Sequence, residues 1–233
     1  YIYNYKYMNI FEESFKPGNR RIRDKTNALN AIIYSDNMSI DKLSTAYFEK
    51  LKNAKNICII GNGPVTKNIT HLIDKFDVII RFNNYKVDTD TKLVGDKTDV
   101  QFVCLQLENT NSWVHDCDCV IIFEINRPQL TKRFTAEHTF IKTPKEYIDK
   151  MKRLIDMTRG FYTIATCLQI KEKYNKDLGI YIIGFGGEGH HFNPKHHISH
   201  CFNEEKILIN KLKKQKSIVD LKDVDCNTIT FKN

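Results

Sequence analysis

Hydrophobic positions along the chain fall into short, nearly unbroken runs separated by polar or amphipathic stretches. The runs cover residues 57–60, 78–82, 100–105, 120–123 and 180–183. Continuous apolar runs rich in Ile and Val predict strands covered on both faces. Between them the spacing becomes helical. Ser39 is placed to cap a helix over 39–53, with Leu43, Ala46, Tyr47 and Leu51 as its apolar stripe. A helix over 65–75 follows the first strand. Thr143-Pro144-Lys145-Glu146 reads as a capping box with proline at the first helical position, opening a helix that ends near Thr158. Further helices are expected over 160–174 and over 202–216, the latter with Ile207, Leu208 and Leu212 facing inward. Residues 217–231 are expected to add one or two closing strands. Residues 1–38 are polar, with a basic cluster at Arg20, Arg21 and Arg23, and are expected to form an arm or irregular cover.

Strands alternating with helices predict an α/β, Rossmann-like single domain, with a mostly parallel sheet and helices on both faces. No linker, repeat or low-complexity block divides the chain. The expected organisation is an N-terminal arm and covering helix at 1–54, followed by the main domain at 55–233.

Composition narrows the function only a little. At 233 residues the chain is long enough for one substantial core. Its formal charge of +8, mostly lysine, suits anionic partners such as nucleotide phosphates, acidic sugars, nucleic acid or an anionic membrane, and equally suits a plain solvated surface. RNA-binding aromatic signatures are absent, so nucleic acid is not an expected partner. The seven cysteines contain no C-x-x-C pair. Cys58, Cys104 and Cys167 lie in apolar runs and read as buried free thiols, which makes a reducing compartment the simpler expectation. No stretch approaches the ~20 apolar residues of a membrane span. Membrane contact is expected only through an upstream anchor outside this chain.

Several blocks could carry chemistry. Gly61-Asn62-Gly63-Pro64 follows the first buried strand directly, where glycines let the backbone approach a ligand. It has neither the dinucleotide fingerprint nor the Walker spacing, and an ordinary strand-to-helix turn reads the same way. Arg81-Phe82-Asn83 ends the second strand, on the edge where open α/β sheets bind ligands. Thr158-Arg159-Gly160 opens an apolar helix whose N-terminus could hold a phosphate, or could simply be capped. Five of the eight histidines, His190, His191, His196, His197 and His200, fall within eleven residues. They lack metal-ligand spacing and better suit a general base, since the histidine pKa lies near ~6.5. Three Asp-x-Asp triplets, at Asp88, Asp116 and Asp223, follow no buried strand. No metal site and no cofactor are expected.

Taken in order, these blocks resemble the eukaryotic-type sialyltransferase family. The large motif of that family reads Cys-x-(apolar)-(apolar)-Gly-Asn, then Arg-x-Asn, then Val-Gly-x-(Lys/Arg)-Thr. Here the matches are Cys58 to Asn62 (one residue shorter), Arg81-Phe82-Asn83 and Val94-Gly95-Asp96-Lys97-Thr98. The small motif, Ser-(Thr/Ser)-Gly through an apolar helix to Tyr-Gly-Phe-Gly, is matched in part by Thr158-Arg159-Gly160 and Ile183-Gly184-Phe185-Gly186. His190-His191-Phe192 looks like the third motif, and His200 with Glu205 fits the last, His-x4-Glu. Gly-Asn-Gly-Pro also looks like the bacterial sialyltransferases of related fold. The resemblance covers about residues 55–212.

The resemblance implies a GT-A-like fold and an inverting, metal-independent transfer of sialic acid from CMP-sialic acid to a hydroxyl of an acceptor glycan. It implies donor contacts from Asn62, Gly63, Arg81, Asn83, Thr158, Arg159, Gly160, Gly184, Phe185 and His190, with His200 as base and Glu205 orienting it. It also implies a Golgi-luminal, membrane-anchored address and a disulfide from the large-motif cysteine to a position near Lys171. Lysine stands there, and Cys167 lies one helical turn earlier. Two other readings stay open: a same-fold transferase using another donor such as CMP-Kdo, and a non-catalytic nucleotide- or nucleic-acid-binding module.

Overall fold

The computed structural model describes residues 20–34, 45–83, 85, 92–103, 117, 119–122, 140–142, 157–185 and 202–231. The elements run α1 (Arg20–Ile33), α2 (Thr45–Asn53), β1 (Asn56–Ile60), α3 (Thr70–Ile73), β2 (Val78–Phe82), β3 (Val100–Val103), β4 (Cys119–Ile122), β5 (Phe140–Lys142), α4 (Arg159–Lys173), β6 (Gly179–Ile183), α5 (Phe202–Lys214) and β7 (Val219–Asp220). The strands form one sheet in the order β5-β4-β3-β2-β1-β6-β7, with every neighbouring pair parallel. The chain steps outward from β1 to β5 and then returns to the opposite side of β1 for β6. The order therefore reverses between β1 and β6; in open α/β sheets the crevice at the carboxyl ends of such a strand pair is where ligands bind.

The apolar runs become strands because both sheet faces are covered. All five residues of β1 and all five of β2 are buried. Ile57, Ile59, Val78, Ile80, Phe82, Val100, Phe102, Ile180 and Ile182 pack with Leu29, Tyr47, Leu51, Phe161, Ile164, Leu208 and Leu212, so α1, α2, α4 and α5 share one face. Cys58, Ile60, Ile79, Tyr181 and Ile183 pack with Leu72, Ile73, Phe76, Val94, Leu221 and Cys226 on the other face. Burying each of these isoleucines contributes about 1.5–3 kcal/mol.

Several expectations are corrected. Residues 20–33 form a helix rather than an irregular cover, since Leu29 anchors α1 in the core with Ala28 and Ile33 beside it. The helix expected over 65–75 shrinks to the single turn of α3. Lys67 Nζ reaches the carbonyls of Leu221 and Val224, and Ile69 N–H donates to Leu93 O, so the chain after Gly63 is pulled into a loop. Asn68 Oδ1 then accepts from Thr70 N–H at 3.0 Å as the helix opens. Ile207, expected to face inward, is 37 % exposed, whereas Leu208, Ile209 and Leu212 are buried. Of the one or two strands expected over 217–231, one forms among the described residues, β7, and the Asp225 side chain and backbone then close turns on Asn227 and Thr228. A short strand at Phe140–Lys142 was not foreseen. The helix expected over 143–158 lies almost wholly outside the described residues, as does the part of helix 39–53 before Thr45 and the cysteine at 104.

Cys58 and Cys167 are buried free thiols, each pushed up to about 12 by burial. They belong to opposite faces of the sheet. Because strand side chains alternate, the one-residue shortening before Gly61 puts Cys58 on the face away from α4. No disulfide to that helix can form from it. Among the described residues, no helix is long and apolar enough to cross a membrane.

Candidate functional site

Three segments distant in sequence meet at the β1/β6 crevice. Gly61 N–H donates to Ile183 O at 2.8 Å, and Gly63 N–H to Gly184 O at 2.9 Å. A Cβ on Gly61 would stand 2.5 Å from Gly184 O, and a Cβ on Gly184 would press on Gly61 O in return. Gly184 also has φ +77°, which favours glycine. A Cβ on Gly160 would stand 2.5 Å from Cε1 of Phe185. The loop after β1, the loop after β6 and the N-terminus of α4 are thus in direct contact. The glycines at 61, 160 and 184 are what lets them close.

The start of α4 is tightly held. Thr158 is its N-cap, with Oγ1 accepting from Phe161 N–H at 3.1 Å. Behind it stands Glu205, only 5 % exposed. Its carboxylate accepts from Thr158 N–H at 2.9 Å and from Thr158 Oγ1–H at 2.8 Å. Burial pushes Glu205 up to about 7 from 4.5, against the lowering effect of those two bonds. The expectation that Glu205 orients a histidine therefore meets a different geometry, since both of its oxygens serve Thr158. Thr158, expected as a donor contact, also fixes the helix end through these bonds. Ahead of it, Arg159 is half-buried and Gly160 buried, in the first turn, where N–H groups have no carbonyl behind them. The signal for Glu205 lay in the sequence. Residues 205, 208, 209 and 212 share one helical stripe, and the glutamate sits on its buried side.

Arg81 is the clearest correction. Expected to face a ligand, it is 1 % exposed beneath the sheet edge. Its Nη2 donates to Val94 O at 2.9 Å and Gly95 O at 2.7 Å, and its Nε to Lys97 O at 3.2 Å. Its guanidinium lies 4.9 Å from the Tyr85 ring centroid. Position 81 lies inside β2, and alternation sends its side chain to the α3 face with Ile79. The two segments 81–83 and 94–98 are thereby bound to each other. Asn83 lies at the strand end as expected, half-buried, with φ +50°. Asn62 Nδ2 donates to Phe82 O at 3.0 Å, joining the loop after β1 to the end of β2.

His190 and His200, with the rest of the histidine cluster and Gly186, lie outside the described residues. Of the Asp-x-Asp triplets, Asp223 is described, and it pairs with Lys213. Among the described residues, no group of three His, Cys, Asp or Glu gathers around a common point.

The class of protein that this sheet defines is an open, all-parallel α/β fold, and the candidate site lies at its switch point. No protein-family model matches the chain, and no curated protein does. Among solved structures, a mammalian sialyltransferase in complex with Gal-β-1,3-GalNAc-ortho-nitrophenol superposes with a TM-score of 0.56. The match covers 94 % of this chain and 85 % of that one, at 15 % identity. A mammalian sialyltransferase structure also matches at a TM-score of 0.48, covering 95 % and 86 % of the two chains at 15 % identity. The fold is sialyltransferase-like.

Proposed function

We propose that this protein is an inverting glycosyltransferase that moves sialic acid from CMP-sialic acid to a hydroxyl of an acceptor glycan. The supporting observation is the contact of the Gly61–Gly63 loop, Gly184-Phe185 and the N-terminus of α4 at one crevice of this fold. The first-turn N–H groups of α4 and its helix dipole, brought up against these two loops, suit a nucleotide phosphate. Asn62 and Asn83 position the nucleotide, and Gly63, Gly160, Gly184 and Phe185 shape its pocket. CMP is already a good leaving group, so the burden falls on the negative charge growing on its phosphate as the sugar becomes cation-like. The helix N-terminus, Arg159 and His190 carry that charge. His200 takes the proton of the acceptor hydroxyl. Glu205 contributes by holding Thr158, and so the helix end, in place. No step calls for a metal ion.

The test is a panel of CMP- and UDP-sugars with free nucleotide as readout, run with and without EDTA. Release of CMP from CMP-sialic acid, undiminished by EDTA, is the expected result. Preference for CMP-Kdo would move the donor, and restoration by manganese after EDTA would refute metal independence. No release from any donor would leave a binding module.

A further inference from the structure

The sheet buries a second polar side chain beside Arg81 for which the mechanism above has no use. Arg81 and Gln101 are partners in the β2/β3 register, and Gln101 is 0 % exposed. A buried amide in the interior of a sheet is costly unless it is hydrogen-bonded, and an apolar residue would fill the same space without that demand. One hydrogen bond of the Gln101 amide goes to a residue of the candidate site. Gln101 Nε2 donates to Asn83 O at 2.7 Å. The same carbonyl accepts from Tyr85 N–H at 3.1 Å, while Asn83 N–H donates to Phe102 O at 2.7 Å. Asn83 thus has both backbone polar groups tied, in a left-handed conformation (φ +50°) that asparagine tolerates better than most residues other than glycine.

We propose that Gln101 is a positioning residue for nucleotide binding: from inside the sheet it fixes the backbone of Asn83, and with it the placement of the Asn83 side chain against the donor. The proposal rests on the reading of Asn83 as a nucleotide contact. Gln101 touches no substrate, so its effect passes entirely through Asn83.

The experiment is a double-mutant cycle read by calorimetric titration with CMP. Gln101→Met keeps the shape of the side chain and removes the donor. It should weaken CMP binding roughly tenfold, the factor carried by one hydrogen bond. The donor KM should rise by a similar factor with kcat within about twofold, and the acceptor KM should stay unchanged. In an Asn83→Ala background, Gln101→Met should have no further effect on CMP affinity, because the group it positions is gone. Should Gln101→Met fail to fold, Gln101→Asn gives the same readout, since it keeps a buried amide one methylene short of Asn83. Additive losses in the double variant, or unchanged affinity in both Gln101 variants, would overturn the proposal. Absence of CMP binding by the wild type would instead overturn the functional reading on which it rests.

Discussion

Replacing Glu205 with glutamine removes the titration of a buried carboxyl while keeping its shape. The folded protein holds the Glu205 proton more tightly than the unfolded chain does, because burial raises the group from 4.5 to about 7. The stability tied to that proton is fully present below about pH 4.5 and is lost as pH rises through about 7. Between pH 5 and pH 8 the loss amounts to about 2–3 kcal/mol. Glutamine cannot titrate, and its carbonyl and amide N–H reproduce the acceptor and donor of the protonated acid beside Thr158. At pH 5, where folded Glu205 is protonated, the variant should therefore match wild type to within about 1 kcal/mol. By pH 8 the difference should have shifted in its favour by about 2–3 kcal/mol, so that it matches or exceeds wild type. Urea unfolding followed by circular dichroism at pH 5, 6.5 and 8 measures this directly. All other ionisable groups are common to both proteins and cancel in the comparison. Parallel pH dependences for wild type and Glu205→Gln would refute the reasoning.

Arg81→Met strips the carbonyls of Val94, Gly95 and Lys97 of a charged donor and should cost about 3 kcal/mol in urea unfolding; a fold of normal stability with CMP binding lost would return Arg81 to the ligand. Gly184→Ala forces a Cβ onto Gly61 O at positive φ and should cost about 2–4 kcal/mol in the same assay; a neutral result would show that the two loops do not meet as closely as described. His200→Ala should lower turnover by about 10²–10⁴-fold with CMP affinity nearly unchanged. If His200 only caps the helix that follows, the variant will lose about 1 kcal/mol of stability and keep its turnover.

How much of this was legible in the sequence depended on how local the signal was. Strands β1, β2, β3 and β6 announced themselves because a strand buried on both faces has no room for polar alternation. β5 is three residues long and offers too short a pattern to read. The helix at Arg20–Ile33 was missed because its basic start masks an apolar stripe that only α4 and α5 complete. Gly61, Thr158-Arg159-Gly160 and Gly184-Phe185 could be named as site pieces, because glycines after strands and a threonine before a helix are local signatures. What each side chain touches was not legible. Arg81 could be placed at a strand end by sequence, but whether it falls before or after the edge decides whether it faces a ligand or the core. Glu205 was paired with His200 by spacing along the chain, whereas its partner, Thr158, is 47 residues away and is met only through tertiary packing.

The central claim is that the crevice between β1 and β6 holds the CMP half of a sugar donor. Thermal unfolding of the wild-type protein with CMP, UMP and GMP tests it most directly. At about 100 times its dissociation constant CMP should add about 2.7 kcal/mol of stability, seen as a concentration-dependent rise in Tm, with smaller shifts for UMP and GMP. Equal shifts for all three nucleotides, or none for any, would contradict it.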